Sequence, residues 1–196
     1  MNRNPNTPVY FFYKRLFQKQ HSGLTLIELV LVIAIISIIT GFVTPAFAKI
    51  IDNYRLKSAA HDIYSHLQLA RHEALRTGKP ISINFNQDSE NWCYGFSDDQ
   101  TAGNCNCLES QSCKVDGIEK RYFYSNNNID LAQARFSGSD NILVFSPENG
   151  TARSGSVWLR SVKKEMMAVV ISRLGRIRIC KSEESSCPTP PESTSL

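Results

Sequence analysis

The sequence predicts an α+β protein, a long N-terminal helix packed on an antiparallel sheet domain of about seven short strands. Three observations carry this. From Leu29 to Ala48 the chain has 20 residues without a charge, about 30 Å of helix and the thickness of a bilayer's hydrocarbon core. Beyond that run Ala59, Ile63, Leu67, Ala70 and Ala74 recur at helical spacing, one apolar stripe of an amphipathic helix. After Pro80 the pattern changes to period two, beginning with Ile81-Ser82-Ile83-Asn84-Phe85.

In chain order, residues 1–23 read as a leader outside the fold. They hold Arg3, Lys14, Arg15 and Lys19 with no acid beside them. An ordinary secretory signal is the alternative, with Ala46-Phe47-Ala48 as its small-x-small site. The apolar run is too long for that, and Glu28 stands directly at its start. Residues 24–51 are therefore expected to form a transmembrane half of the helix, and 52–80 its amphipathic half. Gly41 and Pro45 are the expected kink, because proline removes one backbone hydrogen bond. Thr77-Gly78-Lys79-Pro80 supplies the stop. Strands follow at Trp92–Phe96, Arg121–Tyr124, Ile142–Phe145, Ser156–Arg160, Met166–Ser172 and Arg176–Cys180. Residues 81–187 form the β-rich domain, and 188–196 a flexible tail.

The charge distribution says where the halves lie. Removing the four leader bases from the 22 Lys and Arg leaves 18, equal to the 18 acids. The basic leader places the following domain outside the cytoplasm, in the periplasm. In that setting six cysteines favour disulfides. Cys180 and Cys187, close together and isolated, are expected to pair. Cys93, Cys105, Cys107 and Cys113 allow three pairings, among which the sequence does not choose. Their spacing is not the CxxC of a zinc site, so no metal is expected.

Gly23-Leu24-Thr25-Leu26-Ile27-Glu28-Leu29 resembles the processing and assembly motif of type IV pilins and type II secretion pseudopilins. Asn53–Ala60 and Leu67–Ala74 are similar to the GspH/FimT branch of minor pilins. The resemblance implies the type IV pilin fold, cleavage by prepilin peptidase after Gly23, and N-methylation of Leu24, where the family usually has Phe. It implies that Glu28 is the assembly carboxylate, pairing with the N-terminal amine of a neighbour. Independently, an ionised carboxylate in hydrocarbon costs several kcal/mol unless paired. The implied partners are other pilins or pseudopilins, the peptidase and the inner membrane, before transfer to a fibre.

The second candidate site is Arg173-Leu174-Gly175-Arg176-Ile177-Arg178. Between Arg160 and Lys181 there are seven bases against Glu165 alone. Clustered guanidinium groups suit phosphates, each offering a planar donor fork. Gly175-Arg176-Ile177-Arg178 matches a C-terminal G-R-x-R element of FimT-like proteins. There it is associated with binding double-stranded DNA in natural transformation. Lys163, Lys164 and Lys181 are expected to extend the patch. The alternative is an H-type pseudopilin acting in protein secretion without DNA binding. The sequence points to no enzyme and no cofactor: His61, His66 and His72 do not share a helix face, and no Ser has a nucleophile context.

Overall fold

The computed structural model describes residues 25–89, 91–98, 105–125 and 128–191, with side chains for all of these except 42–46, 48, 49 and 125. The leader expected over 1–23, the cleavage residues Gly23 and Leu24, and tail residues 192–196 lie outside the described residues. One helix, α1 (Leu26–Thr77), precedes eleven strands among the described residues. These are β1 (Ile81–Gln87), β2 (Asn91–Ser97), β3 (Lys114–Val115), β4 (Ile118–Glu119), β5 (Arg121–Ser125) and β6 (Ile129–Phe136), then β7 (Ser139–Asp140), β8 (Ile142–Phe145), β9 (Gly155–Ser161), β10 (Met166–Ile171) and β11 (Ile177–Lys181). The chain divides into two compact units, Met1–Ala46 and Phe47–Leu196.

In the first unit, Thr25 caps α1. The Glu28 N–H donates to the Thr25 Oγ1 at 3.3 Å and to its carbonyl at 3.1 Å. This is one half of a T-x-x-E capping box, with Glu28 at the third helical position. The helix runs unbroken through Gly41 and Pro45. Ser37 and Thr40 turn their hydroxyls back onto the carbonyls of Ile33 and Ile36, at 2.7 and 2.9 Å. Both polar groups are thereby satisfied within the helix. The large apolar side chains from Leu26 to Ile39 are exposed. Among the described residues no helix is long and apolar enough to cross a membrane.

In the second unit, Ala59, Ile63, Leu67, Ala70 and Ala74 are all buried, joined by Leu56 and Ala60. They share one apolar cluster with residues of both sheets. Four alanines in this stripe allow close backbone approach. The first sheet has the order β5-β2-β1-β8 and the second β11-β10-β9-β6-β7; every pairing is antiparallel. Ile81, Ile83 and Phe85 of β1 and Val157 and Leu159 of β9 enter the common core. The alternation predicted from period two thus sets the inner faces.

The outer faces are also covered. Ser82 and Asn84 of β1 point away from the core yet are buried. Ser82 Oγ donates to the Ser97 carbonyl, and over Asn84 lies the 105–113 segment, whose Cys105 carbonyl accepts from Asn84 Nδ2 at 2.9 Å. Disulfide Cys93–Cys107 ties the segment to β2, and Cys105–Cys113 closes it on itself. On the second sheet Trp158 faces outward and is only 1% exposed, clustered with Ala168, Cys180 and Cys187. The third disulfide, Cys180–Cys187, ties the C-terminal segment to this face. Pro188 and Thr189, where a flexible tail is expected, line a depression beside Trp158. Each sheet thus carries its own disulfide-pinned cover, which is what six cysteines do here.

Between α1 and the first sheet lies a polar thread within an aromatic cluster. His66 Nδ1 is 2.7 Å from the Tyr94 hydroxyl, and its ring stacks on Tyr122 at 3.8 Å. Tyr124 stacks on Trp92 and donates to Asp62 at 3.4 Å. Burial holds the His66 pKa below its ordinary value, with Asp62 partly opposing. Burial pushes Tyr94 upward, and Tyr124 up to about 12. The unfolded chain therefore binds a proton at His66 more readily than the fold does. This contribution is complete above the unfolded pKa near 6.5 and is lost as pH falls through the lower folded value. Urea midpoints at pH 7.5 and 5.0 should fall more in the wild type than in His66→Gln, which does not titrate. Equal falls in both proteins would contradict this role.

Candidate nucleic-acid interface

The turn joining β10 to β11 holds Arg173, Leu174, Gly175 and Arg176; Arg178 follows within β11, at the edge of the second sheet. Local hydrogen bonds shape it. The Gly175 N–H donates to the Ser172 carbonyl at 2.9 Å, and Arg176 N–H to Ser172 Oγ at 3.1 Å. Gly175 sits at φ +73°, a left-handed conformation, and a Cβ built on it would lie 1.9 Å from the Gly150 carbonyl oxygen. Glycine is required there both by backbone angle and by space.

That close approach brings a second loop to the motif. The β8–β9 connection begins with Ser146-Pro147-Glu148-Asn149-Gly150, and its Ala152 N–H donates to the Arg173 carbonyl at 3.0 Å. Arg71 of α1 reaches both loops. Its Nε donates to the Gly150 carbonyl at 3.0 Å and an Nη to the Leu174 carbonyl at 3.5 Å. Arg153, next to Ala152, is exposed, as are Arg173, Arg176 and Arg178. Arg178 donates to the Ser186 carbonyl of the disulfide-tied C-terminal segment. A guanidinium has five N–H donors, so this bond leaves other donors free.

Of the described arginines without a carboxylate within 4.0 Å, all but the exposed Arg55 lie at this end. Arg76, Arg121, Arg135 and Arg160 each pair with a carboxylate. Among the described residues, no carboxylate lies within 4.0 Å of the charged nitrogens of Arg71, Arg153, Arg173, Arg176 or Arg178. Cations that are not already neutralised are what a phosphate-binding surface needs.

Not every expected base joins the cluster. Lys163 and Lys164 lie in the turn between β9 and β10, and Lys181 pairs with Met167. All three are at the far end of β10 from Arg176, separated by a strand of ~17 Å. Lys163 is also committed to Asp52 at 3.2 Å. Conversely, Arg71 and Arg153 were not legible as site residues. Arg71 reads as a polar face of the helix, and Arg153 follows a stretch that reads only as a turn. The four remaining cysteines form buried disulfides rather than thiolate ligands. Among the described residues no group of three or more His, Cys, Asp or Glu is placed to hold a metal ion.

The family model described as type II transport protein GspH matches residues 59–175. The chain belongs to the GspH family. That match contains Arg71, the β8–β9 loop and Gly175, and ends just before Arg176. The prokaryotic N-terminal methylation motif matches residues 18–44, around Gly23, Leu24 and Glu28. With both, this GspH-family chain is a minor pilin or pseudopilin. No curated sequence matches it. Among solved structures it is similar to the minor pseudopilin EpsH from the type 2 secretion system of Vibrio cholerae. There the identity is 14%, over 66% of this chain and 99% of that chain, with a TM-score of 0.47. It is also similar to the type IV minor pilin FimU of Pseudomonas aeruginosa. That identity is 21%, over 66% of this chain and 95% of that chain, with a TM-score of 0.43.

Proposed function

We propose that this chain is a minor type IV pilin that enters or primes a pilus and binds double-stranded DNA for uptake in natural transformation. Prepilin peptidase cuts after Gly23, and Leu24 becomes the methylated N-terminus. The apolar helix holds the chain in the inner membrane, with the sheet domain in the periplasm, until assembly with other pilins buries the helix in the fibre. Arg173, Arg176 and Arg178 contact DNA phosphates. The observation that carries the DNA reading is the group of exposed guanidinium groups without carboxylate partners around the β10–β11 turn. The reading assigns no catalysis and no cofactor.

A gel-shift assay with the full chain in detergent tests it. Binding to a short mixed-sequence duplex should be lost in Arg176→Gln/Arg178→Gln and should weaken steeply with salt. No binding at low salt would overturn the DNA reading. The second reading is a type II secretion pseudopilin without DNA binding, favoured by the name of the matching family model. Its partners are other pseudopilins, and it predicts that negative result.

Glu28 is tested separately. Its backbone N–H is taken up by the Thr25 cap, while its side chain is exposed. Glu28→Ala should leave cleavage intact but remove the protein from sheared filaments, read by immunoblot. Incorporation at the wild-type level would contradict an assembly role for this carboxylate.

A further inference from the structure

We propose that the phosphate-binding surface is a composite of two loops: Arg153 contacts DNA alongside the β10–β11 arginines, and Arg71 is the positioning residue that holds the loops in register. This rests on the DNA reading above and extends it to residues outside the G-R-x-R element. The evidence is the way the loops are locked. Gly150 and Gly175 both take positive φ, and the carbonyl of one occupies the space a side chain on the other would need. The Ala152 N–H to Arg173 carbonyl bond places Arg153 one residue from the motif turn, with its side chain exposed. Arg71 bonds one carbonyl from each loop through two different nitrogens, and it is half-buried. Its planar fork spans both acceptors, which a lysine ammonium on a flexible stem does not reproduce. Two of the five donors of Arg71 are thus held on the backbone. The guanidinium groups exposed to meet phosphates are those of Arg153, Arg173, Arg176 and Arg178. Glu148, exposed in the same loop, is the nearest acid in sequence to Arg153 and opposes an incoming phosphate.

The test measures affinity of the full chain in detergent for a short mixed-sequence duplex across a salt series. Arg153→Gln should weaken binding about tenfold and lower the slope of log K against log salt by about 0.9, the value of one phosphate contact. Arg71→Lys keeps the charge, so a purely electrostatic role predicts no change. A positioning role predicts a loss of about tenfold, and a loss that shrinks when Arg173→Gln is already present. A general destabilisation would instead add to Arg173→Gln unchanged. Circular dichroism confirms that each variant is folded at the assay temperature.

If the wild type binds DNA and Arg153→Gln keeps both its affinity and its slope, the composite surface is overturned while the motif stands. If Arg71→Lys binds as the wild type, or its loss is fully additive, the positioning role is overturned. If the wild type does not bind at low salt, the DNA reading itself fails and this extension with it.

Discussion

Removing both disulfides of the 93–113 segment is expected to unfold the sheet domain or leave it on the edge of unfolding. Cys93–Cys107 closes a separation of 14 residues and Cys105–Cys113 one of 8. A loop of the first size contributes about 3 kcal/mol by restricting the unfolded chain, and the shorter one somewhat less. The loops overlap, so the joint effect is about 4–5 kcal/mol and not the full sum. That approaches the lower end of total stability for a domain, ~5 kcal/mol. The fold side adds to it, because all four sulfurs are buried against the outer face of the first sheet. Gly95 of β2 has no side chain where the cover presses closest. A Cβ there would lie 2.3 Å from Cys113 Sγ. Replacing the four cysteines with serine should lower the thermal midpoint of the full chain by more than about 10 °C. Cys180–Cys187 closes a separation of only 7 residues, so Cys180→Ser/Cys187→Ser should cost less. An unchanged midpoint in the four-cysteine variant would show that the cover is not held by these bonds.

Gly175→Ala has the second largest expected effect. The φ of +73° alone costs an L-residue about 1 kcal/mol. The larger part is steric: the new methyl would meet the Gly150 carbonyl, a backbone atom that cannot rotate aside. Relief requires the two loops to part, breaking the Ala152–Arg173 bond and detaching Arg71 from at least one carbonyl. A loss of about 3 kcal/mol is expected, a fall in midpoint of about 6–12 °C. DNA affinity should fall as well, even where the protein remains folded. A midpoint within a degree or two of the wild type would mean that the loops separate at little cost, and Gly175 would then serve only the turn.

The parts of this fold legible in the sequence are those where one period governs one face. The stripe from Ala59 to Ala74 reads as a helix because all of it is buried on one side. All seven expected strands are present. The longest strand, β6, was not legible, because a bulge between Leu131 and Gln133 breaks its alternation. The β3–β4 hairpin is two residues on each side, too short for a periodic signal. Its turn was legible in principle: Asp116 and Gly117 both take positive φ, and Asp-Gly is a strong hairpin sequence. The disulfide pairing of the first four cysteines depends on which strand face carries Cys93, which the spacing of cysteines does not contain. The candidate interface shows the same division. Arg173, Arg176 and Arg178 are contiguous enough to be seen as a charge cluster. Arg71 and Arg153 join them only through tertiary contact, 79 residues apart for Arg71 and Gly150. Lys163, Lys164 and Lys181 are close to the motif in sequence, but antiparallel strands carry them to the other end of the sheet.

The salt dependence of duplex binding by the full chain in detergent, measured from low to physiological salt, is the most direct test of the arginine cluster as a DNA surface. Four phosphate-facing guanidinium groups predict a slope of log K against log salt of about −3.6. Arg176→Gln/Arg178→Gln should roughly halve that slope as affinity collapses. Absence of binding at low salt, or binding that is indifferent to salt and to these two arginines, would contradict the assignment. It would leave the chain as a GspH-family filament subunit without a nucleic-acid partner.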